Sequence, residues 1–176
     1  TFEQWNRWAN KAAHAYAAHG VRKGDRVAFL TWNLPEQITS FFALQKLGAI
    51  PVPINYRLAA NEVKYIVNDS GARILVFEES LRERVTPIVN DLPAVEHLVY
   101  IGDKPQGREK PFDRFVEPGS DAEPPAVGEL EDPAFIMYTS PNWWVRWRCR
   151  PNAASRTTTR SSTTSRSSTS RSCRSS

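Results

Sequence analysis

A parallel α/β sheet with helices on both faces is the fold class this sequence predicts, and three observations predict it. Short apolar runs alternate with stretches of helical spacing from Phe2 to Ile101. The runs themselves are mostly Val, Ile, Leu and Phe, as in strands covered on both faces. Glycines at 20, 48 and 71 close the helical stretches, where a left-handed terminal residue costs glycine little. Crossovers between such strands are expected to be right-handed.

The elements follow in order. Thr1 and Gln4 have the spacing of a capping box, and Phe2, Trp5, Ala9, Ala12, Ala13 and Tyr16 recur on one face, predicting a helix over 2–19. Lys23-Gly24-Asp25 is a turn, and 26–31 a short apolar strand. Asn33 is the expected N-cap of the next helix, with Pro35 in its first turn and Ile38, Phe41, Phe42, Leu44 and Leu47 as its core face. The strand at 49–54 carries Pro51 and Pro53, which lack ladder donors, so it belongs at an edge or a bulge. A helix over 60–69, a strand over 73–77, a helix over 80–90 and a strand over 97–101 continue the alternation. Residues 102–130, rich in Pro, Gly and charge, are expected to be a surface connection, and 134–138 a last strand.

Charge divides the chain at residue 140. Up to there 15 basic residues face 19 acidic ones, whereas 141–176 hold 8 arginines and no acid. Both cysteines, Cys149 and Cys173, lie in that second part, so the body is no disulfide framework and suits a reducing, cytoplasmic setting. No apolar run of membrane-spanning length occurs. The chain opens at Thr1 directly into a helix, the expectation for a piece clipped at its front.

Residues 141–176 are a different material. Over 151–176, 16 of 26 residues are Ser or Thr and five are Arg, a composition expected to be disordered because it has little to bury. Residues 141–150 place Trp143, Trp144 and Trp147 beside three arginines with no helical or strand period. Three readings follow: a nucleic-acid contact using Arg for phosphate and Trp for stacking, an Arg/Ser segment switched by phosphorylation, and an out-of-frame stretch. The last is adopted, because GC-rich codons for Val, Asp and Glu read one base late give Ser, Thr and Arg. Non-specific polyanion binding is expected of the basic tail in any case.

The stretch Glu131-Asp-Pro-Ala-Phe-Ile-Met-Tyr138-Thr139-Ser140 carries the most information. A strand ending in Tyr-Thr-Ser resembles the entry to the phosphate loop of the adenylate-forming superfamily, which includes acyl-CoA synthetases. Val21 to Ala28, with Gly24-Asp25-Arg26-Val27, resembles that family's entry to its first strand. Leu44 to Asn55, with Gly48-Ala49 and Pro53, resembles a second family segment, and Asp69-Ser70-Gly71-Ala72-Arg73 a third. The four lie in the family's order within 1–140, the N-terminal part of an AMP-binding domain and about a quarter of a full member.

The resemblance implies a carboxylate, such as a fatty acid, activated by ATP with Mg²⁺ to an acyl-adenylate, then passed to CoA. It also implies a loop continuing Gly-Thr-Thr-Gly and Pro-Lys-Gly, so that backbone amides, hydroxyls and a lysine hold the triphosphate. This sequence continues Pro141-Asn142-Trp143-Trp144 instead. Thr139 and Ser140 are therefore the sole candidate nucleotide-binding residues, no catalytic or metal residue is assigned, and the chain is expected to bind no cofactor and to be inactive. Without the family context Thr139 and Ser140 are ordinary turn residues. His14 and His19 are expected to be solvated, His97 to pack, Asp25 and Arg26 to form a surface ion pair, and Phe41 and Phe42 to lie in the core.

Overall fold

The computed structural model describes residues 1–125, 127–129 and 131–139, together with the backbone course of 143–148. Its elements are α1 (Phe2–Ala18), β1 (Arg26–Leu30), α2 (Pro35–Lys46), β2 (Ile50–Pro53), α3 (Ala60–Ser70), β3 (Ile74–Glu78), α4 (Arg82–Val85), β4 (His97–Ile101), β5 (Glu109–Pro111), α5 (Phe112–Val116), β6 (Pro133–Thr139) and β7 (Trp143–Arg148). Five strands form one sheet in the spatial order β2-β1-β3-β4-β5, every pair parallel. The expected α/β class holds.

The period of two along each strand builds two cores. Ala28, Leu30, Val52, Leu75, Phe77, Leu98 and Tyr100 face Val63, Ile66 and Val67 of α3. Their neighbours Val27, Phe29, Ile74, Val76 and Val99 face Ala12, Ala13 and Tyr16 of α1, Leu44 of α2 and Phe115 of α5. Each fully buried Leu, Ile, Val or Phe contributes about 1.5–3 kcal/mol before chain entropy is subtracted. Tyr16 is buried among them because its hydroxyl donates to Ser40 Oγ at 3.0 Å, and burial pushes its ionisation well above the usual tyrosine range.

Local chemistry explains the helix ends. Thr1 and Gln4 form the expected capping box on α1. Gly71 takes φ +61° at the end of α3, and a Cβ there would lie 2.7 Å from Arg26 Nη2. Helix α2 departs from expectation: its N-cap is Leu34, not Asn33, with no side-chain cap. Pro35 at the first helical position forces the preceding residue into extended backbone, which moves the boundary by one. The expected helix over 80–90 is broken, with single 3₁₀ turns at Glu79–Leu81 and Val89–Asp91 around the four-residue α4. Pro87 has no N–H for the Glu83 carbonyl, so the helix stops there. The stretch expected to be only a connection contains β5 and α5, elements too short to leave a periodic signal.

Two side-chain expectations are corrected. Asp25 does not pair with Arg26. It accepts from Arg73 Nη1 at 2.7 Å, while Arg73 Nη2 reaches Glu96 at 2.8 Å. Arg26 instead donates to the carbonyls of Ser70, Gly71 and Gly24, closing the C-terminal end of α3. Phe41 packs on Phe29, but Phe42 is 46% exposed against Trp5. The helix turns by about 100° per residue, so adjacent residues cannot both face the sheet.

His97 packs, as expected, but His19 packs too: its ring stacks on Phe115 at 4.3 Å and meets the His97 ring edge-on at 5.1 Å. Burial, with Lys110, His19 and Arg73 nearby and only Glu96 opposing, lowers the His97 pKa. A histidine lowered in the fold takes up its proton more readily in the unfolded chain. Stability is therefore complete above about pH 6.5 and falls as pH drops through the window below it. His97→Gln should flatten urea-denaturation stability between about pH 7 and pH 5. A slope unchanged by that substitution would place the titration elsewhere.

Strand β6 stands apart from the main sheet. It pairs antiparallel with β7, and the two make a separate sheet. The backbone of 143–148 is thus a strand where the sequence shows no strand period. The remainder of 141–176, with the disorder expected for it, lies outside the described residues. A strap over 117–132 carries the chain to β6: Asn10 Nδ2 donates to the Asp121 carbonyl at 2.9 Å, Asn6 to Glu123 at 3.1 Å, and Lys23 pairs with Asp132 at 2.9 Å. Lys46 also pairs with Glu123.

Candidate functional site at the end of strand β6

Alternation along β6 sorts its side chains onto two sides. Phe135 meets the Phe41 ring edge-on, centroids 5.3 Å apart, while Ile136 and Tyr138 rest on the core that α3 covers. The Tyr138 hydroxyl donates to Asp69 at 2.6 Å. Burial and that carboxylate together raise the Tyr138 pKa well above the usual range. Thr139 follows, exposed, on the side of Phe135 and Met137. Ser140 lies outside the described residues, so of the two candidate site residues only Thr139 is placed. In the β6–β7 register Thr139 is opposite Trp143, so three residues, including Pro141, link the strands.

The polar groups alongside β6 already have partners. A cavity of about 290 Å³ lies beside β6, lined by Arg26, Asp69, Ser70 and Tyr138 among others. The Arg26 guanidinium there is spent on three carbonyls and Asp69 on Tyr138. At the opposite, N-terminal end of β6, Lys23 is held by Asp132, with Glu129 at 3.5 Å, which raises its pKa. Among the described residues no three His, Cys, Asp or Glu side chains gather as metal ligands. A triphosphate with Mg²⁺ needs several converging amide donors and an uncommitted cation. Of the positions such a cradle would use, the described residues include Thr139, and 140–142 lie outside them.

Two features escaped the sequence reading. Asp69 was legible only as part of a turn motif, while its bond to Tyr138 spans 69 positions. At the carboxyl ends of β1, β2 and β3, the Trp32 ring lies on Tyr56, centroids 3.9 Å apart, and its Nε1 donates to Ser80 at 3.1 Å. The available signal was that Trp32 and Tyr56 each follow closely on a strand.

The pattern of the AMP-binding enzymes matches residues 1–140. The long-chain-fatty-acid–CoA ligase FadD13 of Mycobacterium tuberculosis is 35% identical over 146 residues, covering 80% of this chain and 27% of that ligase. A 3-hydroxybenzoate–CoA ligase of an Aromatoleum species is 32% identical over 142 residues, with the same 80% and 27% coverage. Among solved structures, the anthranilate CoA ligase AuaEII in complex with anthranoyl-AMP superposes with a TM-score of 0.77 at 36% identity, covering 80% of this chain and 27% of that one. The chain therefore spans about a quarter of the length of these relatives, 27% in each. With 140 of its residues under the family pattern and this fold beneath them, the chain belongs to the AMP-binding enzyme family.

Proposed function

We propose that residues 1–140 are the N-terminal part of an AMP-forming acyl-CoA synthetase, and that this chain by itself does not perform the reaction. In that reading a longer chain would join a carboxylate to ATP as an acyl-adenylate and pass the acyl group to CoA. The similarity to ligases named for long-chain fatty acids and hydroxybenzoate supports the carboxylate class. The observation that carries the inactivity is the sequence after Thr139: Ser140, Pro141 and Asn142 stand between β6 and β7, with no glycine and no lysine. Proline removes one amide donor from that link.

The test is pyrophosphate exchange by the purified chain with ATP, Mg²⁺ and a panel of fatty and aromatic acids. The expected result is no exchange above background and no saturable ATP binding by calorimetry. Acid-dependent exchange, or tight saturable ATP binding, would refute the inactivity.

The reading divides the chain at Ser140 and treats 141–176 as an out-of-frame stretch. The nucleotide sequence after the Ser140 codon decides this: restoring Gly-Thr-Thr-Gly and a lysine by one inserted or deleted base supports it. A nucleic-acid role would rest wholly on 141–176 and gains nothing from the relatives, which are named as ligases. Among the described residues no helix is long and apolar enough to cross a membrane, and the cysteine-free body accords with a cytoplasmic setting.

A further inference from the structure

Strand β6 meets the main sheet through side chains. On β2, Ile50 and Ile54 donate inward to Asp25 and Phe29 at 2.7 and 2.8 Å. Alternation then turns the nitrogens of Pro51 and Pro53 outward, where neither has a hydrogen to give. β2 and β6 accordingly belong to separate sheets. No residue of β6 is fully buried, whereas Val27, Phe29, Leu75 and Phe77 in the main sheet are 0% exposed. The joint includes the close approach of β6 to β2, the Phe135–Phe41 contact, the packing of Ile136 and Tyr138, and the 2.6 Å bond from Tyr138 to Asp69. Beside it the cavity of about 290 Å³ leaves part of the joint without packing partners. The strap that reaches it is tied by the Lys23–Asp132 and Lys46–Glu123 ion pairs and by the bonds from Asn10 and Asn6, so it is held to α1, α2 and the turn before β1 rather than to β6 itself.

We infer that β6 undocks from the five-stranded sheet as a unit while that sheet stays folded, with the Tyr138–Asp69 hydrogen bond as its latch. The lack of any fully buried residue in β6 and of a ladder shared with the main sheet are what mark it as a low-stability unit. The movement carries Thr139 and everything that follows it. The inference is independent of whether the chain binds a nucleotide, since it concerns only how β6 is held.

The test is native-state thiol labelling of the full 176-residue chain with Cys149 and Cys173 replaced by serine. Val52→Cys reports the joint: residue 52 is 0% exposed although it lies on the edge strand that β6 covers. Val76→Cys, equally buried in the central strand β3, reports global unfolding. The expected result is labelling at 52 at least about tenfold faster than at 76, with a shallower urea dependence because less surface is exposed. Adding Tyr138→Phe should speed labelling at 52 by about fivefold, the loss of one hydrogen bond to a carboxylate, and leave 76 unchanged. Equal rates and equal urea slopes at the two positions would overturn the inference, as would a Tyr138→Phe effect equal at both. If Val52→Cys does not give the parent's circular dichroism, Ile50→Cys, beside the same cavity, takes its place with the same two outcomes.

Discussion

Replacing Phe77 with alanine should remove about 3–5 kcal/mol of folding stability, the range for emptying a buried aromatic site. Phe77 is 0% exposed and sits in the central strand, in register with Leu30 on one side and Tyr100 on the other. Its ring lies 5.7 Å from that of Tyr100. Helix α3 and the segment around α4 close over it, so the space left by six lost ring atoms has few ways to collapse. Against a total of about 5–15 kcal/mol for an ordinary domain, that loss leaves much of the population unfolded at room temperature. Urea denaturation followed by far-UV circular dichroism measures it. The control is Phe42→Ala, at a residue 46% exposed, which should cost well under half as much. Equal losses for the two would contradict the packing described.

Gly119→Ala should cost about 1–3 kcal/mol, the range for forcing atoms into filled space. A Cβ at 119 would lie 2.1 Å from the Lys11 carbonyl oxygen. That oxygen belongs to helix backbone and cannot swing aside as a side-chain tip can, so the strap must lift from α1. Lifting it disturbs the bonds that follow, from Asn10 to Asp121 and from Asn6 to Glu123. The same denaturation experiment reads the loss, and a stability equal to the parent's would show that the strap does not rest on α1 as described.

The site divides along the same line as these two predictions. Thr139 was identifiable because the residues before it spell a strand and the residues after it abandon a recognisable loop. What holds that strand end in place was not identifiable. Asp69 belongs to a motif whose other members shape a turn, and its partner Tyr138 belongs to a strand that pairs with nothing in the main sheet. Arg26 and Asp25 are adjacent in sequence, yet neither serves the other: one closes α3 and the other anchors Arg73. Proximity along the chain predicts ion pairs poorly because a strand sends neighbouring side chains to opposite faces.

Hydrophobic period, glycine stops and proline positions were enough, read one residue at a time, to determine the class of fold, the order of its main elements and the edge position of Pro51 and Pro53. These are local properties: each follows from a few neighbouring residues and the geometry of the backbone. Only the tertiary structure decided that the sheet runs β2-β1-β3-β4-β5, that His19 meets His97, and that β6 is held by Asp69 and a strap rather than by a ladder. Those outcomes depend on contacts between residues tens of positions apart, whose energies are set by shape and burial once the elements have packed.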